Sequence, residues 1–110
     1  MLRSKIADLS VYYPARIVTN QEIETRLNAT EKLLAEGSLE RLFGLHERRF
    51  AATDQQVSDL ATAAARPIVE RIGAERIGFL IFASACSDLI EPATANIVQH
   101  KLGLRCPGWT

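Results

Sequence analysis

The feature that most constrains the fold is an unbroken apolar run from Ile77 to Ser84, IGFLIFAS. Its hydrophobic residues do not alternate with polar ones, as they do in a strand that has one face in water. Such a run predicts a strand covered on both faces, which is usual in a parallel sheet flanked by helices. We therefore expect an α/β fold.

Helical patterns lie on both sides of this strand. Apolar residues recur at helical spacing from Val57 to Ile72, although Pro67 predicts a kink within that helix. A further helix is expected to open at Glu91-Pro92, because proline is pre-organised for the first helical position. Gly103 is expected to close it.

Shorter elements are expected in the first half of the chain. Lys5 to Tyr13 reads as a strand rich in β-branched and aromatic residues. Thr19-Asn-Gln-Glu22 is a capping box, in which the Thr hydroxyl accepts the third helical amide and the Glu side chain reaches back. It predicts a short helix that buries Ile23 and Leu27.

A second helical stretch is predicted from Thr30 to Phe43. Gly37-Ser38 is expected to break it, and Gly44 suits the left-handed position just past a helix end. The following residues, His46 to Ala52, are expected to form an extended link or a short strand.

Length and charge exclude several functions. The chain has 110 residues, 13 basic and 13 acidic side chains and a formal net charge of zero. This length suits one domain. Binding to nucleic acid or to an anionic membrane surface is not expected, because both need a basic excess.

The composition also argues against a metal site and a membrane span. Neither Cys86 nor Cys106 has the spacing of a zinc ligand, and two free thiols suit a reducing compartment. No segment reaches the ~20 apolar residues of a membrane span. Asp8 interrupts the stretch that a signal peptide would need. We therefore expect a cytoplasmic protein.

Several side chains could have a catalytic or binding role, and each also has a structural interpretation. Cys86 follows the apolar strand, but a small buried thiol is favoured over a nucleophile because no basic residue lies near it in the sequence. His46 and His100 fit solvated or helix-capping positions better than acid–base catalysis. Arg48 and Arg49 are expected to pair with Glu47 or a neighbouring carboxylate rather than to grip a phosphate.

Glu91 has two conflicting interpretations. At a helix N-terminus, free amides and the helix dipole stabilise a carboxylate and lower its pKa. A general base that works near neutral pH instead needs its pKa raised by burial. From the residues alone, the helix-end interpretation is favoured.

A series of short segments occurs in order along the chain. They are Tyr13-Pro14 with Val18-Thr19-Asn20-Gln21-Glu22-Ile23, Gly44-Leu45-His46-Glu47-Arg48-Arg49, Ser58-Asp59-Leu60-Ala61, Glu91-Pro92-Ala93-Thr94-Ala95 and Leu102-Gly103-Leu104. Together they resemble the N-terminal third of thiolase-fold condensing enzymes of the 3-oxoacyl-ACP synthase III group. The resemblance implies that residues 1–110 are the N-terminal portion of a thiolase-like layered αβαβα domain, ending just before the family's nucleophilic cysteine.

Two features are similar to the OleA-type branch, which joins two acyl-CoA chains without loss of CO₂. The Trp and Arg that flank the CoA adenine in acetyl-CoA-primed synthases correspond to Ser38 and Leu42, with Arg41 adjacent to the latter. Leu89-Ile90-Glu91-Pro92 resembles the segment whose glutamate reaches across the dimer and removes the α-proton of the second acyl chain. The resemblance thus shifts the preferred role of Glu91 to a catalytic base.

The resemblance implies an acyltransferase that carries out Claisen condensation as a homodimer. Its substrates would be acyl-CoA or acyl-carrier-protein thioesters, and no metal or organic cofactor is implied. The alternatives are a decarboxylative 3-oxoacyl-ACP synthase III and a non-catalytic relative that only dimerises. Cys86 and Cys106 do not align with the nucleophile. Because the 110 residues match only part of such an enzyme, we expect them to leave Ile97 and Val98 uncovered.

Overall fold

The computed structural model describes residues 3–29, 31 and 34–110. Contacts divide the chain into two compact units, one formed by Tyr13–Thr53 and the other by the residues before Tyr13 together with Asp54–Thr110. In chain order the elements are β1 (Arg16–Thr19), α1 (Asn20–Asn28), α2 (Ser38–Phe43), β2 (Glu47–Phe50), α3 (Val57–Ile72), β3 (Leu80–Ile81), α4 (Thr94–Leu102) and β4 (Gly108–Trp109).

The smaller unit contains an antiparallel pair, β1 with β2, in which Arg16 lies opposite Phe50 and Thr19 opposite Glu47. The extended stretch expected from His46 to Ala52 is therefore confirmed. The strand expected from Lys5 to Tyr13 is wrong, since residues 3–13 form no strand. A strand needs partners for its backbone groups, and β2 pairs with the residues that follow Pro14 instead.

Helix α1 begins as the capping box predicts, because Thr19 Oγ1 accepts a hydrogen bond from the Glu22 amide at 3.2 Å. The Glu22 carboxylate, however, accepts from Arg16 at 2.8 Å. The predicted buried pair is wrong in part, since Ile23 is half-buried and Leu27 is 39% exposed. A polar residue, Glu24, is buried in their place.

Glu24 is buried because it caps the next helix. Its two carboxylate oxygens accept hydrogen bonds from the amides of Gly37 and Leu39, at 3.0 and 2.9 Å. Those bonds lower the pKa of Glu24, the one from Leu39 most. Helix α2 therefore begins directly after Gly37, at the predicted break, and ends at Gly44 in the left-handed conformation. Of the predicted helix before that break, residues 30, 32 and 33 lie outside the described residues, and residues 31 and 34–37 are not helical, so the prediction is wrong there.

The larger unit is organised around α3, which spans the predicted residues. Pro67 lies inside this helix without ending it. The N-terminus carries a capping box, in which the Gln56 side chain accepts from the Asp59 amide and the Asp59 carboxylate accepts from the Gln56 amide.

Strand β3 is much shorter than the apolar run, because its parallel partner β4 is only two residues long. Ile77, Leu80 and Phe82 pack against a core formed by Val98, Leu102, Leu104 and Cys106. On the other side, Phe79 and Ile81 are 50% and 71% exposed. The described residues therefore cover the run on one face, and among them the expectation of cover on both faces is wrong.

Helix α4 begins at Thr94, so the prediction that Glu91-Pro92 opens it is wrong. The first turn is supported by a residue that follows the helix in sequence. Thr110 Oγ1 accepts a hydrogen bond from the Ala95 amide at 2.8 Å, which satisfies a donor in the first turn. Gly103 ends the helix as predicted, with φ of 68°.

The face of α4 that packs on α3 is apolar. Ala95, Val98 and Leu102 recur at helical spacing and are 0%, 2% and 7% exposed. The expectation that Val98 would be uncovered is therefore wrong, and Ile97 is half-buried. The sheet, rather than this helix, presents the uncovered apolar residues Phe79 and Ile81.

Candidate active-site segment

Residues 83–93, here called the Glu91 segment, connect β3 to α4. Leu89 is 55% and Ile90 97% exposed, and Glu91 and Pro92 are exposed as well. The Glu91–Pro92 peptide bond is cis. Because Ala93 is the N-cap residue of α4, Glu91 lies two positions before it and outside the first turn. The position assumed by the helix-end interpretation of Glu91 is therefore not the one observed.

The base of the segment is held by Asp88. Its Oδ1 accepts a hydrogen bond from the backbone amide of Ser58, in the first turn of α3, at 2.9 Å. Its own amide donates to Thr94 Oγ1, at the start of α4, at 3.1 Å. Ser58 and Thr94 are both completely buried. The residues between Asp88 and α4 thus form a loop whose base is fixed to two helices while its tip lies in solvent.

A second polar cluster joins α3 to α4 close to this base. The Lys101 ammonium donates to Ser58 Oγ at 2.6 Å and to Asp59 Oδ1 at 2.7 Å. The hydrogen bond from Lys101, and after it the one from the Gln56 amide, lowers the pKa of the Asp59 carboxyl. The cluster thus joins the first turn of α3 to the last turn of α4.

The two cysteines differ in environment. Cys86 lies exposed in the Glu91 segment, which contradicts the expectation of a buried thiol. The segment turns outward after β3, so its small residues are not drawn into the core. Cys106 is 7% exposed and belongs to the apolar core beside Leu102 and Leu104.

Neither histidine lies in the Glu91 segment. His46 is exposed, with Nδ1 3.4 Å from a Glu40 carboxylate oxygen. His100 is exposed in the last turn of α4, where the helix dipole favours a cation. Both positions agree with the solvated or capping roles expected of them.

Arg48 and Arg49 bind neutral oxygens and form no ion pair with any described carboxylate, so the expected ion pairs are wrong for the described residues. Arg48 Nη2 donates to the side-chain oxygen of buried Asn20 at 2.8 Å. Arg49 Nη1 donates to the carbonyl oxygens of Pro14 and Ala15 at 3.2 and 3.3 Å. Both arginines lie on β2, opposite β1, so backbone carbonyls before β1 are within reach.

The two positions that correspond to the adenine-flanking residues lie on α2. Ser38 is buried at the first helical position, whereas Leu42 is 67% exposed. Arg41 Nη2 donates to Ser38 Oγ at 3.3 Å, within the same helix. These positions therefore offer a buried hydroxyl and an exposed aliphatic side chain.

Sequence reasoning missed Asp88 and Asn20. The side chain of each bonds a residue far along the chain, Asp88 to the Ser58 amide and Asn20 to Arg48, and the only local signal is a polar residue at the edge of an apolar segment. Among the described residues, no group of three His, Cys, Asp or Glu side chains is placed to hold a metal ion. No helix in the described part of the chain has the length and apolar character needed to cross a bilayer.

The arrangement of helices and strands defines the N-terminal portion of a thiolase-like fold. The chain superposes on a His-to-Ala variant of OleA from Xanthomonas campestris with a TM-score of 0.81 and 38% identity, covering 94% of this chain and 32% of that one. It superposes on β-ketoacyl-[acyl carrier protein] synthase III from Thermus thermophilus with a TM-score of 0.78 and 33% identity, covering 97% and 32%.

Sequence comparison points to the same group of proteins as the superpositions. The chain is 39% identical over 106 residues to β-ketoacyl-[acyl-carrier-protein] synthase III of Thiobacillus denitrificans, a match that covers 94% of this chain and 32% of the relative. No family model matches the chain. Over nearly its whole length the chain is thus similar to 3-oxoacyl-ACP synthases III, as its motifs predict, and it spans about a third of the length of these relatives.

Proposed function

We propose that the full-length protein condenses two acyl thioesters into a β-ketoacyl thioester, and that Glu91 is the base for this reaction. The 110 residues would form the N-terminal portion of its thiolase-fold domain, and the nucleophilic cysteine would lie beyond them. The observation that carries the proposal is the exposure of the tip of the Glu91 segment, because a base that serves another subunit must project from its own.

The proposed reaction has two stages. A cysteine thiolate attacks the first acyl-CoA and forms a thioester, with release of CoA. The Glu91 carboxylate then takes an α-proton from the second acyl-CoA, and the resulting carbanion attacks the acyl-enzyme carbonyl. The carbon–carbon bond forms as the cysteine sulfur leaves, and the product is a β-ketoacyl-CoA. Because no CO₂ is lost, a base is required.

Two apolar side chains support a homodimer in which the segment enters the partner. Leu89 and Ile90 precede the carboxylate directly and are more than half exposed. Burial of an aliphatic side chain of this size is worth about 1.5–3 kcal/mol, which is available only if another surface covers it. An acyl-binding site in the partner would supply such an apolar surface.

A second candidate is decarboxylative condensation with malonyl-ACP. It is favoured by the curated relatives, which are named β-ketoacyl-[acyl-carrier-protein] synthase III. In that reaction the carbanion arises from loss of CO₂, so no carboxylate base is needed. The role of Glu91 therefore separates the two candidates.

The experiment uses the full-length enzyme with long-chain acyl-CoA alone, and then with malonyl-ACP added. We expect β-ketoacyl-CoA from acyl-CoA alone. Glu91→Ala and Glu91→Gln are expected to acylate the nucleophile normally and to lose condensation by ~10²–10⁴-fold, the usual contribution of a general base. Glu70→Gln, which alters an exposed carboxylate on α3, is the control. Turnover only with malonyl-ACP would establish the second candidate. If the protein neither became acylated nor formed product with either substrate set, it would be a non-catalytic relative.

A further inference from the structure

We infer that Asp88 is a positioning residue for Glu91. The inference rests on the proposed function of Glu91 and adds the device that holds this carboxylate in place. A base at the tip of an exposed loop must meet an α-proton within hydrogen-bond distance. The tip itself consists of exposed residues, so its placement depends on how its base is fixed.

Asp88 closes the base of the loop. Its amide donates to Thr94 Oγ1, which joins the two ends of the stretch that carries Leu89, Ile90 and Glu91. If Asp88 made neither this bond nor the one from the Ser58 amide, the nearest long-range anchor before Glu91 would be the Phe82 amide, which donates to the carbonyl of Trp109 at 2.8 Å. The stretch between the anchors would then run from Phe82 to Thr94, twice the length of the stretch from Asp88 to Thr94. A longer loop has more conformational freedom to lose.

Asp88 also attaches the closed loop to a rigid support. Its carboxylate accepts the Ser58 amide, and Ser58 is completely buried in the first turn of α3. Lys101 fixes the same turn to α4 through Ser58 Oγ. Glu91 is three residues from Asp88, and three residues span at most about 11 Å of chain. A shift at Asp88 is therefore transmitted to Glu91 over a short distance.

A positioning role and a structural role predict different kinetics. Loss of positioning lowers condensation, the step that uses Glu91, and leaves acylation of the nucleophile unchanged. Loss of stability lowers the amount of active enzyme and affects both steps equally. The ratio of the two rates in the full-length enzyme thus separates the roles.

The experiment compares four variants with acyl-CoA as substrate. Asp88→Ala removes the acceptor for the Ser58 amide, and Asp88→Asn keeps an oxygen there. Thr94→Val removes the hydroxyl at nearly constant volume, which tests the same loop if Asp88→Ala does not fold. Asp59→Ala is the matched control, because it removes the Lys101 pair and the α3 capping box without detaching the loop.

We expect Asp88→Ala and Thr94→Val to lose ~10- to 100-fold in the kcat of condensation, as catalytic groups displaced by about 1 Å do, with acylation unchanged. Asp88→Asn is expected to recover most of the condensation, and Asp59→Ala to change the ratio of the two rates little. The inference is overturned if Asp88→Ala and Thr94→Val condense normally, if Asp88→Asn is no better than Asp88→Ala, or if Asp59→Ala alters the ratio equally.

The Glu91 variants distinguish this failure from failure of the proposed function. If Glu91→Ala loses condensation while the Asp88 and Thr94 variants retain it, Glu91 is the base and Asp88 does not position it. If Glu91→Ala itself condenses normally, the proposed function fails and the positioning role fails with it.

Discussion

Two regions of the larger unit differ in how far their apolar side chains are buried. One is the contact between helices α3 and α4, and the other is the Glu91 segment. In the helix contact, Val98 and Leu102 are at most 7% exposed, and Lys101 is hydrogen-bonded to Ser58 and Asp59. In the segment, Ile90 is 97% exposed. The first region is stabilised by contacts within the chain, whereas the second leaves the side chain of Ile90 in solvent.

This difference separates a region whose apolar side chains are covered by the chain itself from one whose apolar side chains are not. An exposed apolar side chain is common when it stands alone, but here two adjacent ones precede the only carboxylate of the segment tip. The base of the same segment is hydrogen-bonded at Asp88, so the exposure of the tip is not a consequence of a poorly attached loop. The comparison makes three predictions for the full-length protein.

The largest effect is expected in the helix contact. Leu102→Ala removes a side chain that packs with Val98, Leu104 and Cys106, and it leaves a cavity. We expect the free energy of unfolding to fall by about 2–5 kcal/mol, as for other buried leucines. Urea denaturation followed by circular dichroism measures it. A loss below about 0.5 kcal/mol, the usual range for surface substitutions, would show that this contact is not the core of the unit.

A smaller effect is expected from the polar cluster of the same contact. Lys101 lowers the pKa of Asp59 below its ordinary value of 3.8, so the folded state favours the charged carboxylate. The stabilisation is complete above the unfolded pKa and is lost as the pH falls through the lower folded pKa. Lys101→Met should therefore differ from the wild type most above pH 3.8 and least in stronger acid.

Denaturation across pH 2 to 7 checks this prediction, with Lys5→Met as the control for loss of an exposed ammonium. Because Lys101 and Asp59 are about a third exposed, the difference should also shrink at high salt. A pH-independent difference between Lys101→Met and the wild type would mean that Lys101 acts through packing alone.

The sequence predicted those parts of the fold that depend on local interactions. Helix α3 has the predicted bounds because its apolar spacing and the glycine after it act within a few turns. The start of α4 was missed because the donor of Ala95 is satisfied by Thr110, a partner that follows the helix. The lengths of strands were missed for the same reason, since β3 extends only as far as β4 does.

The candidate site was predictable only in part. Glu91 was proposed as the base through resemblance alone, because a lone carboxylate beside a proline has no periodic signal of its own. Its position before α4, rather than at its first turn, follows from the later start of the helix. Asp88 was missed because its carboxylate binds the Ser58 amide 30 positions earlier, and no sequence pattern links a side chain to a distant backbone group.

The smallest effect on folding is expected in the Glu91 segment. Ile90→Ala removes an aliphatic side chain comparable in size to that of Leu102, but one that is 97% exposed and contributes little buried area. We expect the free energy of unfolding, measured by urea denaturation at high protein concentration, to change by about 0.5 kcal/mol or less. Dimer dissociation, measured by sedimentation at decreasing concentration, should be promoted, because the side chain lost is one proposed to enter the partner. Ile90→Ala could instead destabilise folding as much as Leu102→Ala and leave dimer dissociation unchanged. In that case Ile90 would be covered within its own subunit, and the two regions would not differ as the structure indicates.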